Sequence, residues 1–381
     1  MGEPPAELPA QRRPSIRRTR VAKPAAPQAG IPTRPMPQSK ISANAPQMPQ
    51  TRIIIDRVHA NSRALGGSAL QSTGRGMRQV GERGRRRSSL SGQKRPIGDS
   101  EASPRAASPA PDIDRRDRGD PLRCADYAAA IYEHYLAVEA AVMADPNYMA
   151  MQAEINHKMR AVLVDWIVEV HAKFKLMPET LFLTVNLIDR YLSTVRVGRK
   201  RLQLVGIAAL LIAAKYEEIW PPEVQDFIDI CDHAYTRPEI LDMERSMLIE
   251  LGWKLTVPTI YHFLPRFMKA AGSQEDKNAN LVAAYLTELS LLHYGSLKYK
   301  GSQIAASVVF IARRMVRQAD AYPLALRKHS TYSLDDLRPC VEELGQVLKQ
   351  AGREVTRAVH RKYAHSKYRH VATELRALTS A

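Results

Sequence analysis

Residues 159–171 read MRAVLVDWIVEVH. Within this stretch Met159, Leu163 and Trp166 occur at i, i+4 and i+7, a spacing that places three apolar side chains on one face of a helix. Such a stripe usually belongs to a hydrophobic core. At a surface, the same side chains could instead form a docking groove, with an aromatic anchor and a carboxylate at its edge. The spacing predicts the helix and leaves both interpretations open.

The first 120 residues differ in composition from the rest of the chain. They contain 15 of the 25 prolines, 23 of the 56 Lys and Arg residues and 10 of the 39 Asp and Glu residues, and no Phe, Trp or Tyr precedes Tyr127. Such a segment lacks the apolar area needed to offset the entropy of folding, so we expect residues 1–120 to form a disordered basic tail. Most of the net charge of +17 therefore belongs to this tail, which weighs against a nucleic-acid-reading surface on the folded part.

Several absent patterns narrow the class of protein. Cys124, Cys231 and Cys340 lie far apart without a Cys/His cluster, so the sequence suggests neither a zinc site nor a disulfide framework. The longest apolar run, residues 204–214, is shorter than the roughly twenty residues that span a bilayer. We find no signal peptide, no nucleotide-binding glycine motif and no HExxH. We therefore expect no catalytic site, cofactor, metal or membrane partner, and a location in the nucleus and cytoplasm.

From Pro121 onward the apolar residues recur with a helical period, and no convincing strand pattern occurs. In the first half, the helix candidates are residues 122–143, 154–176, 179–195, 202–219, 224–231 and 237–251. After Pro258 they are residues 259–271, 277–293, 302–319 and 334–369, the last with a break near Gly345 or Gly352. The residues around Thr236 read as a capping box at the start of one of these helices.

Two of the candidate helices are apolar and rich in small residues on every side. These stretches, residues 205–214 and 304–309, are typical of a central helix enclosed by neighbours. Each predicts the hub of a helical bundle. The expected fold is thus all-α, with residues 121–256 forming a first bundle and its preceding helix, and residues 257–381 forming a second bundle.

Several stretches resemble the two boxes of the cyclin family. In the first bundle they are MRAVLVDWIVEVH at 159–171, MPETLFLTVNLIDRYLS at 177–193, LQLVGIAALLIAAKYEEIWPPEV at 202–224 and MERSMLIELGWKL at 243–255. The stretch YLTELSLLHYGSLKYKGSQIAASVVFIAR at 285–313 is similar to the second box of B-type mitotic cyclins. The resemblance implies two consecutive five-helix cyclin boxes. It also implies a regulatory subunit that binds and activates a cyclin-dependent Ser/Thr protein kinase at mitotic entry. An A-type cyclin acting in S and G2 phase is the alternative within the family.

The resemblance also assigns two protein-binding surfaces residue by residue. The kinase contacts it implies are Lys215, Tyr216, Glu244, Trp253 and Leu255, with Tyr127 and Ile131 on the preceding helix. The substrate-docking groove it implies comprises Met159, Val162, Leu163, Trp166, Glu169, Leu202 and Gln203. In substrates or inhibitors with an Arg-x-Leu motif, the leucine would be buried near Trp166 and the arginine would bond to Glu169.

The tail contains short motifs like those that mark mitotic cyclins for destruction by a ubiquitin ligase. Residues 61–66, NSRALG, resemble a destruction box, but Ser62 replaces its arginine. Arg87 and Leu90 satisfy the minimal Arg-x-x-Leu spacing and are the better candidate. This pattern is a weak one in a segment so rich in arginine.

Other tail motifs suggest import and modification. The basic residues at 83–87 and 94–95 resemble a two-part nuclear import signal, although a solvated charge run has the same composition. Ser103 and Ser108 each precede proline, the minimal pattern for a proline-directed kinase. Phosphorylation at these serines would reduce the positive charge of the tail.

Two alternatives from another functional class remain. The cyclin fold also occurs in general transcription factors that bind DNA through basic faces of their boxes, and a basic tail could bind nucleic acid alone. The nearly balanced charge after residue 120 argues against the first alternative. We therefore expect no specific nucleic-acid partner.

Overall fold

The computed structural model describes residues 111–351 and 356–380, all of which belong to one compact unit, and the described residues contain helices and no strand. One helix, α1 (Ala125–Val138), precedes the first bundle. The bundle is formed by five helices: α2 (His157–Phe174), α3 (Pro178–Thr194), α4 (Leu202–Glu217), α5 (Val224–Ile230) and α6 (Arg237–Glu250).

A second bundle follows after Pro258. Its five helices are α7 (Ile260–Ala270), α8 (Lys277–Leu292), α9 (Gly301–Met315), α10 (Leu324–Ser330) and α11 (Leu334–Gln350). Two more helices, α12 (Ala358–Ala364) and α13 (Val371–Ser380), complete the described part of the chain.

Capping residues determine where several of these helices begin. The side chain of Asn156 accepts a hydrogen bond from the Met159 N–H and so satisfies one of the free donors at the start of α2. Thr236 and Glu239 form a reciprocal capping box at the start of α6, as the sequence predicts. Pro178 stands in the first turn of α3, where its missing N–H has no cost.

Helix α4 is the hub of the first bundle. All its residues from Leu202 to Ala214 are buried, and they pack against α2, α3 and α6. A methyl group in place of the Gly206 hydrogen would come within 2.8 Å of the Leu163 side chain. The small residue thus lets α2 approach α4 closely at the apolar stripe of residues 159–166. Most of that stripe is core.

Helix α9 has the same role in the second bundle, where it packs against α7, α8 and α11. Its first residue, Gly301, lies against the start of α7, and an added Cβ there would be 3.3 Å from the backbone nitrogen of Ile260. This crowding explains why a glycine begins the helix. The prediction of two central helices is therefore confirmed by their burial.

The segment before α1 is anchored on the second bundle. Asp114 accepts bonds from Arg266 Nη1 at 2.5 Å and from Lys269 Nζ at 2.6 Å, and Asp117 accepts one from Lys269 Nζ at 2.5 Å. The predicted tail covered residues 1–120, but residues 111–120 belong to this anchored segment. Ion pairs with distant residues hold it in place, and composition alone does not reveal such pairs.

Asp114→Asn should destabilise the chain in a pH-dependent way. Burial by itself would raise the pKa of Asp114, but the bonds from Arg266 and Lys269 outweigh it and lower the pKa from 3.8 to about 2. A carboxyl whose pKa is lower in the folded state stabilises it above pH 4, and this contribution is lost as the pH falls toward 2. We expect the substitution to lower the free energy of unfolding by about 1–2 kcal/mol at pH 7 and by less below pH 4. Urea unfolding at both pH values measures this difference.

The matched control is Asp112→Asn, because Asp112 pairs with Arg118 and both side chains are largely exposed. It should change the free energy of unfolding by less than about 0.5 kcal/mol at any pH. If Asp114→Asn lowered the free energy of unfolding equally at pH 7 and pH 3, the ion-pair explanation would be contradicted.

Some helix boundaries differ from the prediction. Helix α1 is shorter than the predicted 122–143, because 3₁₀ turns replace both of its ends. Helix α10 was not predicted, since its seven residues are too few to show a helical period. The first part of the predicted helix 334–369 ends at Gln350, in agreement with the predicted break near Gly352 and not with the alternative near Gly345.

Candidate functional site

The end of helix α4 and the middle of α6 bring two predicted kinase-binding residues together. Lys215 Nζ lies 2.6 Å from Glu244 Oε1, and the Lys215 side chain is 46 % exposed. Lys215 stands in the last turn of α4, where a cation is favoured by the helix dipole. The two residues are 29 positions apart in the sequence, so the packing of α4 against α6 creates the pair.

Tyr216 extends this surface. Its hydroxyl lies within hydrogen-bond distance of Thr256 Oγ1, in the segment after α6. The ring remains exposed to solvent, while nearby Leu255 is half-buried against the core. An exposed ring with a fixed hydroxyl offers a rigid contact area to a partner.

Trp253 is the most prominent aromatic at the end of α6. Gly252 and Trp253 both adopt left-handed backbone, with φ of 58° and 59°, and the Trp253 N–H donates to the Leu248 carbonyl at 2.9 Å. A bulky residue in this region costs about 1–2 kcal/mol. The turn nevertheless leaves the indole 66 % exposed. A costly conformation that presents an aromatic to solvent is typical of a binding site.

The loop after α4 adds two residues that the sequence analysis missed. Ile219 and Trp220 are 88 % and 82 % exposed. The predicted helix included Ile219, but α4 ends at Glu217, and Glu218 instead accepts bonds from the Met177 N–H and the Thr180 hydroxyl at the start of α3. The two prolines that follow Trp220 were the available signal for a loop.

Acidic groups border this surface. Burial raises the pKa of Glu217, and the neighbouring carboxylates of Glu179 and Glu218 add to the effect. The end of α4 therefore combines one cation, Lys215, with a cluster of carboxylates. We define the α4–α6 surface as the exposed residues Lys215, Tyr216, Ile219, Trp220 and Trp253 together with Glu244, whose side chain is 14 % exposed.

Helix α1 presents the remaining two predicted kinase contacts. Tyr127 is 70 % exposed and Ile131 is 37 % exposed. The other side of α1 is attached to the second bundle, since the Tyr132 hydroxyl donates to the His262 carbonyl and Tyr135 packs edge-on against the His262 ring. The predicted pair therefore lies on an accessible face of an anchored helix.

Most residues of the predicted docking groove are buried in the first bundle. Four of its residues are buried, namely Met159, Leu163, Leu202 and Gln203. Val162, Trp166 and Glu169 are half-buried and remain accessible to a ligand. The two interpretations of the stripe are thus both partly realised: its inner residues are core, and its outer edge is a shallow surface.

Glu169, at the end of that edge, already has a basic partner. Its Oε1 accepts a hydrogen bond from Arg361 Nη2 on α12. The sequence analysis missed Arg361, because 192 positions separate it from Glu169.

A buried ion pair connects the two bundles. Arg160 donates to both carboxylate oxygens of Asp189 at 2.6 Å and to the Leu291 carbonyl of α8 at 2.9 Å. The Tyr148 hydroxyl donates to the same carboxylate at 2.9 Å. Burial by itself would lower the pKa of Arg160, but Asp189 outweighs it and the pKa is raised. Arg160 is therefore a cation that joins α2, α3 and α8.

Comparisons with known proteins agree with this architecture. The sequence-family model of the cyclin N-terminal domain matches residues 130–256, and the family model of the cyclin C-terminal domain matches residues 258–377. The chain belongs to the cyclin family. The all-α fold of two consecutive cyclin boxes is thereby confirmed.

Named relatives indicate the B type. The chain is 47 % identical to G2/mitotic-specific cyclin-1 of Medicago sativa subsp. varia, over 68 % of this chain and 60 % of the relative. It is 43 % identical to Cyclin-B2-2 of Arabidopsis thaliana, over 71 % of this chain and 62 % of the relative. The match therefore spans about three fifths of these relatives' length. The predicted resemblance to B-type mitotic cyclins is confirmed.

A solved structure shares the fold. A viral cyclin from herpesvirus saimiri superposes with a TM-score of 0.51 and 20 % identity, covering 57 % of this chain and 97 % of the viral chain. At this identity the likeness concerns the fold alone.

Several predicted features fall on parts of the chain that the structure does not describe. The destruction-box candidate Arg87 and Leu90, and the phosphorylation candidates Ser103 and Ser108, lie outside the described residues. Within residues 111–351 and 356–380, no helix is long and apolar enough to cross a membrane, and no three His, Cys, Asp or Glu side chains are grouped to hold a metal ion.

Proposed function

We propose that the chain is a regulatory subunit that binds and activates a cyclin-dependent Ser/Thr protein kinase at mitotic entry. The observation that supports this most directly is the α4–α6 surface, where the ion pair of Lys215 and Glu244 lies beside exposed aromatics. Exposed Trp and Tyr side chains next to a fixed charge pair are the residue types that dominate binding energies at protein interfaces. B-type relatives support the mitotic assignment.

Activation follows from differential binding. In the cyclin family the first box packs against the kinase helix that carries a glutamate and moves it toward the lysine that anchors ATP phosphates. To shift a kinase from about 1 % to about 99 % active, the cyclin must favour the active state by roughly 5.5 kcal/mol. A cyclin box whose binding surface is already ordered loses little conformational entropy when it binds the kinase. The turn that holds Trp253 outward contributes to this preorganisation.

Reconstitution tests the proposal. The full chain is mixed with a cyclin-dependent kinase purified without its own cyclin, and phosphorylation of histone H1 is measured. We expect a stable complex and a rise in activity of about two orders of magnitude. The proposal would be overturned if several cyclin-dependent kinases, tried at micromolar concentration, formed no complex with the chain and gained no activity.

We also propose that the docking edge of Val162, Trp166 and Glu169 binds Arg-x-Leu segments of substrates or inhibitors. Its half-buried indole and its carboxylate match the two side chains of that motif. The buried floor beneath Trp166 supports the idea, since a rigid base keeps the edge in place.

The tail would control the amount and location of the protein. In this proposal a ubiquitin ligase acts at Arg87 and Leu90, the basic residues at 83–95 direct the chain to the nucleus, and Ser103 and Ser108 are phosphorylated. Sequence pattern alone supports these assignments.

A further inference from the structure

Arg361 occupies the position that a ligand arginine would need. It donates to Glu169 Oε1, and the side chains are 65 % and 23 % exposed respectively. Glu169 is the carboxylate expected to receive the arginine of an Arg-x-Leu segment. The chain thus supplies, from its own second half, the same guanidinium group that the ligand would offer.

The placement of Arg361 follows from how α12 is held. The Ala358 N–H at the start of α12 donates to Asp165 Oδ1 at 2.8 Å. Asp165 precedes Glu169 by one helical turn on α2, and Ala358 precedes Arg361 by about one turn on α12. The two contacts therefore lie in register along the neighbouring helices.

A second set of contacts fixes the other side of α12. Glu288 Oε1 on α8 accepts bonds from Lys362 Nζ at 2.5 Å and from the hydroxyl of buried Tyr363 at 2.8 Å. The next residues after Arg361 are thus attached to the second bundle. The helix is held between α2 and α8, and Arg361 is a fixed neighbour of the docking edge.

We propose that Arg361 competes with the ligand arginine for Glu169, and so makes the docking edge select the apolar part of an Arg-x-Leu segment. This inference rests on the docking function proposed above. A ligand arginine must either displace Arg361 or share the carboxylate through Oε2, where the two guanidinium groups repel each other. This competition concerns the arginine of the segment and does not involve its leucine.

The effect should be moderate, because the pair is partly exposed. Exposed ion pairs contribute up to about 1 kcal/mol, which corresponds to about fivefold in affinity. Removing Arg361 should therefore tighten binding of an arginine-containing ligand about two- to fivefold and leave a ligand without arginine unaffected.

Fluorescence anisotropy with two labelled peptides tests this directly. One contains Arg-x-Leu and the other has Ala in place of its Arg, with all other residues identical. Full-length wild type, Arg361→Ala and Trp166→Ala are titrated at low salt. Arg338→Ala is the matched control, because it also removes one exposed arginine from an ion pair, on α11. We expect the preference for the Arg peptide to rise two- to fivefold in Arg361→Ala only.

The outcomes separate the inference from the docking function. The competition would be overturned if Arg361→Ala bound the Arg peptide with the same affinity as wild type. It would also be overturned if the variant bound both peptides more tightly to the same extent. No binding of either peptide to wild type and Arg361→Ala, or full binding by Trp166→Ala, would overturn the docking site itself and the competition with it. Kinase activation by Arg361→Ala should equal that of wild type in all cases.

Discussion

Replacing Lys215 and Glu244 together by alanine should abolish stable kinase binding and histone kinase activation. The two residues form the charged centre of the α4–α6 surface, 2.6 Å apart, with exposed aromatics on either side. Truncation of a hot-spot residue at the centre of an interface costs about 2 kcal/mol or more. We therefore expect a loss on the order of 2–4 kcal/mol, about 30- to 1,000-fold in affinity. Co-purification and histone H1 phosphorylation measure the loss.

The control is the double variant Asp335→Ala with Arg338→Ala. That pair has the same separation of 2.6 Å and lies on the exposed side of α11, outside the proposed kinase surface. Both double variants should keep the helical circular dichroism of wild type, because each removes both members of its pair, so that no buried charge is left without a partner. Undiminished kinase activity with the Lys215 and Glu244 variant would remove the assignment of this surface.

Arg160→Ala should strongly destabilise the folded chain. It leaves the Asp189 carboxylate, whose side chain is 3 % exposed, without its cation, and it removes the donor to the Leu291 carbonyl. Breaking a buried pair by removing one partner costs about 3–5 kcal/mol. In domains of this size this corresponds to a fall in Tm of about 6–20 °C.

Differential scanning calorimetry of Arg160→Ala beside Arg338→Ala measures the difference between a buried and an exposed arginine. Arg338 is 68 % exposed in its pair, and its loss should shift Tm by about 2 °C or less. Equal shifts for the two variants would contradict the view that Arg160 joins the two bundles.

Secondary structure was largely predictable because local signals agreed with packing. The capping box at Thr236 and the two hub helices rich in small residues both correspond to observed features. The failures also have local causes. Helix α10 is too short to show a helical period. The charge pattern of residues 111–120 resembled the tail, and only their partners Arg266 and Lys269 distinguish them.

The resemblance proposed which residues form the candidate sites, but it indicated neither their contacts with each other nor their exposure. The resemblance named Lys215 and Glu244 without indicating that they bond to each other. It named Met159 and Leu163 as groove residues, whereas both are buried. Exposure depends on which helices cover a face, and a single amphipathic pattern does not specify its cover.

The sequence by itself determined the helical bundles, the basic composition of the first 120 residues and the cyclin resemblance, because these follow from local period and from collinear motifs. The tertiary structure decided which side chains of the stripe around Trp166 remain accessible and which partner Glu169 has. These properties arise where α2 meets α4 and α12, and the residues that meet there are distant in the chain, Glu169 and Arg361 by 192 positions. Only packing brings such residues together.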